Sequence, residues 1–321
     1  MRALRFHQKG DLGALRVEEV PAPVPGADEV LVRVRAAAVN PSDVKNVLGG
    51  FGQTTVPRTP GRDFAGVVEA GPPGWVGRAV FGSGGGLGFT REGTHAELVS
   101  VPIDGVVEKP AGLTFEQAAS VGVGYLTAWS AVVTACGLKR GETALILGVT
   151  GAVGGAAAAI GRRLGAKLLG TVRSAAEVAA ASALVDRVLN LESGKLPELV
   201  MEATGGRGAD VVLDVVGGPL FAPCMLALAL RGRHAVIATT GGPQISFDLS
   251  DFYHREGRLF GVDSLKLSLA ESAAILRQLA PGFEDGTYPA PAGVAWPLAD
   301  APAAYAQLQA GTAPGKLVLV P

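Results

Sequence analysis

From about residue 142 to residue 264 the chain alternates six short apolar runs with helical stretches, and no other feature limits its fold so strongly. The runs are ETALILGV, KLLGTVR, RVLNL, DVVLDVV, RHAVIATTG and RLFGVDS. Their length and their content of β-branched residues and leucine suit strands buried on both faces. The intervening segments GAVGGAAAAIGRRLG, AAEVAAASAL, LPELVMEATG and PLFAPCMLALAL read as helices. This alternation predicts an α/β fold with a doubly wound parallel sheet.

The chain before this region has a different texture. Short strands (LRVEEV, PAPVPGADEV, LVRVRAAAVN, FAGVVEAG and RAVFGSGGG) are punctuated by Pro and Gly, which predicts a β-rich domain. FEQAASVGVGYLTAWSAVVTACGL then reads as helical and almost wholly apolar. After Ser264 come a helix around ESAAILRQLA, Pro-rich chain, a helix DAPAAYAQLQ and a last strand KLVLV. That tail is short for a domain of its own, so it returns to complete the first one. The expected division is 1–121 and 265–321 for the β-rich domain, with the parallel-sheet domain, 122–264, inserted. A chain of 321 residues suits two such cores.

Composition removes several classes of partner. Lys and Arg number 28 against 29 Asp and Glu, so no sustained positive field draws nucleic acid or anionic lipid. Two cysteines, Cys136 and Cys224, lack metal-type spacing and fit a reducing compartment. Two uncharged stretches, Gln117 to Leu138 and Thr143 to Gly161, have roughly the length of a membrane span, but Ser, Thr and clustered Gly make them buried elements instead. MRALRFHQKG lacks the apolar core of a signal peptide, so the expected location is cytoplasmic.

The first apolar strand runs into Gly148-Val149-Thr150-Gly151-Ala152-Val153-Gly154, and a helix follows at once. Glycine is needed where the backbone approaches a pyrophosphate and where the helix packs on the strand, while the helix N-terminus supplies partial positive charge. Gly151 and Gly154 match the second and third glycines of G-x-G-x-x-G, and Val149 replaces the first. Thr150, Gly151, Ala152, Val153 and Gly154 are therefore cofactor-binding candidates. A dinucleotide's ribose meets the end of the second strand, where an NAD site usually carries a carboxylate. LLGTVRS has none, and Arg173 and Ser174 stand there, which favours NADPH. The alternative for Arg173 is a solvated charge at a strand end.

Seven segments in order now resemble the quinone oxidoreductase, or zeta-crystallin-like, branch of the medium-chain dehydrogenase/reductase superfamily. They are NPSDVKNVLG, TPGRDFAGVVEAG, GTHAELVSVP, AASVGVGYLTAW, GETALILGVTGAVG, ADVVLDVVGG and GKLVLV. The resemblance implies a GroES-like catalytic domain, a Rossmann domain and a cleft between them. It implies that Thr127 packs near the nicotinamide and that Asn40 is a polar contact at the quinone end. Segments 216–218, 238–241 and 260–263, including Val216, Gly217, Thr239, Gly261 and Val262, match loops that hold the nicotinamide half. Two departures stand out: Val149 where the family often has alanine, and Lys45 and Asn46 where an aromatic residue often follows Asn40.

Zinc-dependent relatives use a cysteine near the position of Asn40, a His-Glu pair near Gly61 and a four-cysteine lobe. Here those places read Asn40-Pro41-Ser42-Asp43 and Gly61-Arg62-Asp63, the cysteine lobe is missing, and His7, His95, His234 and His254 are scattered. No metal is expected, and metal-assisted alcohol oxidation is disfavoured. A small quinone can take a hydride without metal, and so can an alkene conjugated to a carbonyl, with donors near Asn40, Lys45 or Tyr125 stabilising the oxyanion. The bland readings are turn chemistry around Pro41 for Asn40 and Asp43, and core packing for Tyr125. A protein that binds NADPH with little turnover is the rival from another class, and a homodimer through the edge strand RLFGVDS is expected.

Overall fold

Valine and alanine alternate with polar residues along EVLVRVRAAA, and this run becomes the longest strand of the N-terminal part. The computed structural model describes residues 1–321. Its contacts divide the chain into two units, 1–123 together with 265–321, and 124–264. In the first unit β1 (Arg2–Arg5) and β2 (Arg16–Glu19) form an antiparallel pair. Next come β3 (Glu29–Ala38), α1 (Pro41–Val47), β4 (Asp63–Ala70), β5 (Ala79–Ser83), β6 (Leu98–Pro102), β7 (Val107–Glu108) and α2 (Phe115–Ser120). The expected strand PAPVPGADEV stays irregular up to Asp28. Pro21, Pro23 and Pro25 have no N–H to give a ladder.

The second unit is entered through α3 (Gly122–Trp129) and a π-helical turn, Ser130–Ala135. It contains β8 (Thr143–Ile146), α4 (Ala152–Leu164), β9 (Lys167–Val172), α5 (Val178–Ser182) and β10 (Arg187–Asn190). After these come α6 (Leu196–Ala203), β11 (Ala209–Asp214), α7 (Phe221–Leu226), β12 (Leu228–Val236), α8 (Leu249–His254) and β13 (Arg258–Gly261). The strands form one parallel sheet in the order β10-β9-β8-β11-β12-β13. That is the doubly wound order, reversing direction beside β8. The helix expected over PLFAPCMLALAL stops at Leu226, and β12 already begins at Leu228, which pairs with Ala209 of β11 and is buried with Ala229. The segment giving α8 carries no periodic apolar pattern that marks it as a helix.

The chain then returns to the first unit as α9 (Leu269–Glu284), β14 (Val294–Pro297), α10 (Ala301–Ala310) and β15 (Leu317–Val320). The larger sheet of this unit runs β14-β15-β3-β4-β5-β7, with β6 also on β3. Val318 pairs with Ala38 and Leu319 with Ala37, so the last strand brings residue 316 beside the start of α1. Val30, Val32, Val34, Phe64 and Val68 share one core, and Leu4, Phe6, Tyr305, Leu317 and Leu319 another. Full burial of each such side chain is worth roughly 1.5–3 kcal/mol. No helix is long and apolar enough to cross a membrane.

Candidate active site

Glycine decides the turn after β8. Gly148 sits at φ 59°, and its N–H donates to Thr171 Oγ1 at 3.1 Å. Gly151 is the N-cap of α4 and has no side chain to cap it, so the first-turn N–H groups of Ala152, Val153 and Gly154 are left for a ligand. A Cβ on Gly154 would lie 2.3 Å from the Gly148 carbonyl oxygen, so helix and turn pack backbone to backbone. The departure at Val149 is absorbed across the sheet: Val149 is fully buried, and a Cβ on Gly170 would meet it at 2.8 Å. This turn fits a pyrophosphate. Thr150 is exposed beside it.

Arg173 follows β9 with its side chain 89% exposed, and Ser174 precedes a short 3₁₀ turn. The sequence suggested that no carboxylate opposes Arg173. Instead Glu177 lies 3.3 Å from the guanidinium, and Glu192 accepts the Ala175 N–H at 3.1 Å. Glu177 is one helical turn onward, and Glu192 is folded back from beyond β10, so neither could be seen in the strand-end motif.

The remaining cofactor candidates gather at the same, C-terminal, end of the parallel strands. Asp214 ends β11, and its Oδ1 accepts the N–H of Val216 at 2.9 Å and of Gly217 at 2.7 Å. Gly217 adopts φ 65° and ψ −155°, a conformation essentially reserved for glycine. Gly241 N–H donates to Val216 O at 3.0 Å, tying this turn to the chain beyond Thr239. Gly261 closes β13, and Val262 N–H donates to Val236 O at 2.9 Å. Thr127, in α3, shares a hydrogen bond of 2.9 Å with Ser264, a partner the sequence did not suggest. Tyr125 is buried.

Asp214 also belongs to a grouping that the sequence spacing did not suggest, although the four histidines stay apart from one another. Asp214, Cys224 and His234, all buried, bring their donor atoms within 4.8 Å of one another. His234 Nε2 is 3.4 Å from Asp214 Oδ2, and its Nδ1 is 3.1 Å from Met225 Sδ. Burial, the largest influence, raises the Asp214 carboxyl, but the neighbouring His234 ring and the N–H groups of Gly217 and Val216 outweigh it and hold the carboxyl below its usual range. Its evident work is to clamp the Val216–Gly217 turn.

In the other unit Asn40 caps α1. Its N–H donates to Asp43 Oδ2 at 2.8 Å, its Nδ2 to Asp63 Oδ2 at 2.9 Å, and its Oδ1 accepts from Lys316 Nζ at 2.5 Å. Asp63 Oδ1 takes the Val123 N–H at 3.0 Å. Burial pushes the Asp43 carboxyl up to about 7 despite the Asn40 N–H and Arg62. Burial also lowers the Lys316 ammonium, against the pull of Asp63 and Asp43. His95 is pushed down to about 4 by burial; its ring bonds Tyr305 Oη at 2.8 Å and Ala38 O at 3.2 Å. Lys45 is exposed, with its ammonium 5.3 Å from the centroid of Phe51, which makes an edge contact with Phe89.

Comparison with known proteins bears on both units. A family model described as zinc-binding dehydrogenase matches residues 152–278, and one described as alcohol dehydrogenase GroES-like domain matches residues 26–111. A Schizosaccharomyces pombe protein described as zinc-type alcohol dehydrogenase-like is 40% identical over 299 residues, 90% of this chain and 86% of its own length. The chain belongs to the medium-chain dehydrogenase/reductase superfamily. Human quinone oxidoreductase is 28% identical over 328 residues, covering 100% of this chain and 98% of its own. A mycobacterial structure solved with NADPH superimposes with TM-score 0.87 at 28% identity, covering 100% of both chains. Membership makes this chain a nicotinamide-dependent oxidoreductase, and the glycine turn of α4 fits that cofactor.

The zinc in the family description fits less well. Zn²⁺ favours thiolate and imidazole in tetrahedral array. Around Asn40 the donors are one amide and the carboxylates Asp43 and Asp63, with Arg62 and the Lys316 ammonium already among them. Cys136 and Cys224 both belong to the other unit, and both ring nitrogens of His95 are engaged.

Proposed function

We propose that the chain is an NADPH-dependent, zinc-independent reductase of small quinones. The observation that carries the reading is the conjunction of whole-length likeness to quinone oxidoreductase with an Asn40 neighbourhood built around an ammonium rather than metal donors. A bound nicotinamide supplies the hydride. The chain's residues hold and orient: the α4 N-terminus takes the pyrophosphate, the Asp214-clamped turn and Thr127 take the nicotinamide half, and Asn40 and its partners meet the acceptor. An activated alkene is the competing acceptor. Oxidation of NADPH with benzoquinones, naphthoquinones, 2-alkenals and enones decides between them. Brisk quinone turnover that persists in chelator is expected; efficient alkene reduction with negligible quinone turnover sinks this reading in favour of the second. NADPH binding without turnover across the panel would leave a binding protein. A reducing, cytoplasmic setting is part of the proposal, since both cysteines are free and buried.

Cofactor choice gives a second expected result. A guanidinium–phosphate contact is worth roughly 1.5–3 kcal/mol, and Glu177, sharing that guanidinium, keeps the effect near the lower end. Arg173→Ala should therefore weaken NADPH about tenfold with little change for NADH. Equal affinities of the unaltered protein for the two cofactors would remove the basis for the assignment.

Assembly follows from the open edge. β13 bonds β12 on one side only, and its Leu259 (43% exposed) and half-buried Phe260 lie on this edge strand. Pairing of two β13 edges across a two-fold axis would cover them. Light scattering should give twice the chain mass at micromolar concentration, and Leu259→Lys should shift it toward the monomer; a monomeric parent protein counts against the dimer.

A further inference from the structure

The disagreement between the family's zinc and the residues around Asn40 has a chemical answer in the last strand. By the family resemblance, Asn40 and Arg62-Asp63 lie near the places where zinc-dependent relatives carry ligands, and Lys316 Nζ is hydrogen-bonded to Asn40 Oδ1 at 2.5 Å. The placement is built by the fold. The pairing of Val318 with Ala38 sets Lys316 next to residues 39 and 40. Asp63 then fixes the amide, because Asn40 Nδ2 donates to it at 2.9 Å while Val123 N–H holds its other oxygen at 3.0 Å. Asn40 therefore turns its carbonyl, not its amino group, toward the ammonium. Asn40, Asp43 and Asp63 are almost wholly buried, whereas Lys316 keeps part of its surface open. Lys316 supplies the ammonium of this group, hydrogen-bonded to Asn40 and half-buried as a residue.

We propose that Lys316 is a catalytic residue whose ammonium takes the part of the divalent cation in zinc-dependent relatives, donating a hydrogen bond to the acceptor's carbonyl oxygen. The proposal rests on the reductase reading above. The acceptor carbon takes a hydride from the reduced nicotinamide, forming a C–H bond. The π pair of the conjugated system moves to the carbonyl oxygen, and the oxidised nicotinamide is left. The oxyanion is stabilised by Lys316 Nζ–H and finally takes a proton from water, so Lys316 gives up no proton over the cycle. Preorganised donors of this kind act most strongly where charge develops in the transition state. Asn40 and Asp63 are positioning residues in this scheme, since they aim the ammonium.

Two other roles for Lys316 predict different results. A purely structural tie between β15 and α1 would affect stability and leave chemistry alone; a contact with a cofactor phosphate would affect NADPH affinity first. The test compares the unaltered protein with Lys316→Met, Lys316→Gln and Lys316→Arg. Measured are Kd for NADPH, kcat and KM for a quinone and an enone, and the pKa of 4-nitrophenol bound to the NADP⁺ complex, an oxyanion probe that needs no turnover. The expected result is a kcat lower by about 10²-fold or more in the Met variant, partial recovery in Arg, and NADPH affinity within about twofold. The nitrophenol pKa should fall on binding to the unaltered protein and to Arg, and stay put with Met. The Gln variant, which retains a donor for Asn40 Oδ1, serves if Met does not fold. An unchanged kcat with a lowered Tm overturns the proposal in favour of the tie, and a raised NADPH Kd with unchanged kcat does so in favour of the phosphate contact. Absence of turnover with every acceptor in the unaltered protein is the separate failure of the reductase reading.

Discussion

Gly154→Ala should abolish useful cofactor binding, with NADPH affinity falling about 10²-fold and the melting temperature dropping by several degrees. The added Cβ meets the Gly148 carbonyl oxygen at 2.3 Å and Val149 Cα at 2.8 Å, and both are backbone atoms. Neither can swing aside as a side chain would. Relief requires α4 to move away from the turn after β8, at an overpacking cost of roughly 1–3 kcal/mol. That movement also withdraws the first-turn N–H groups that face the pyrophosphate. The neighbouring glycine is the control. A Cβ on Gly155 meets only Val149 O at 3.6 Å, ordinary contact, so Gly155→Ala should bind NADPH normally. It should gain roughly 0.5–1 kcal/mol from helix propensity. Fluorescence titration and thermal melts of the two variants check both statements; similar behaviour of the pair would mean that close packing at Gly154 is not what builds the site.

What could be read from the sequence divides by the distance over which each signal acts. The six-stranded sheet was legible because each strand is an uninterrupted apolar run and each connection a helix, and the turn at Gly148 to Gly154 was legible because its glycines lie within seven residues. Local pattern misled where context decides the outcome. PAPVPGADEV has the composition of a strand margin but lacks the donors to pair, and Leu228 looks helical until the neighbouring β11 claims it. The chemistry around Asn40 was legible only in half. Asn40 itself stands in a recognisable motif, but Lys316 is 276 residues away and reaches it only through the register of β15 on β3. The same holds for Asp214 and His234, which meet because adjacent parallel strands align them. Charge partners folded in from a distance, such as Glu192 at the 173–175 turn, leave no trace in a local motif.

Two buried groups in the first unit should make stability respond to pH in opposite senses. The Asp43 carboxyl is raised from 3.8 to about 7 by burial, opposed by the Asn40 N–H, Arg62 and Lys316 and reinforced by Asp63. The folded chain therefore holds a proton there that the unfolded chain has lost, and this contribution is complete below 3.8 and lost as pH rises toward 7. At 1.36 kcal/mol per pH unit the span amounts to about 4 kcal/mol. His95 behaves the other way: burial lowers it from 6.5 to about 4, assisted by Lys316 and opposed by the hydrogen bond to Ala38. Its contribution is complete above 6.5 and lost as pH falls toward 4, about 3 kcal/mol in all. Between these limits the two slopes nearly offset, so the parent protein should show almost level stability from pH 4 to 6.5. Asp43→Asn keeps an acceptor for the Asn40 N–H but cannot titrate, leaving the His95 slope alone. Its urea midpoint should climb steeply from pH 4 to 6.5, while that of His95→Gln should fall from pH 4 to 7. Urea unfolding at half-unit pH steps measures all three. Parallel profiles for Asp43→Asn and the parent would show that Asp43 is already ionised in the folded chain well below neutrality, held by Arg62 and Lys316 more firmly than its burial opposes.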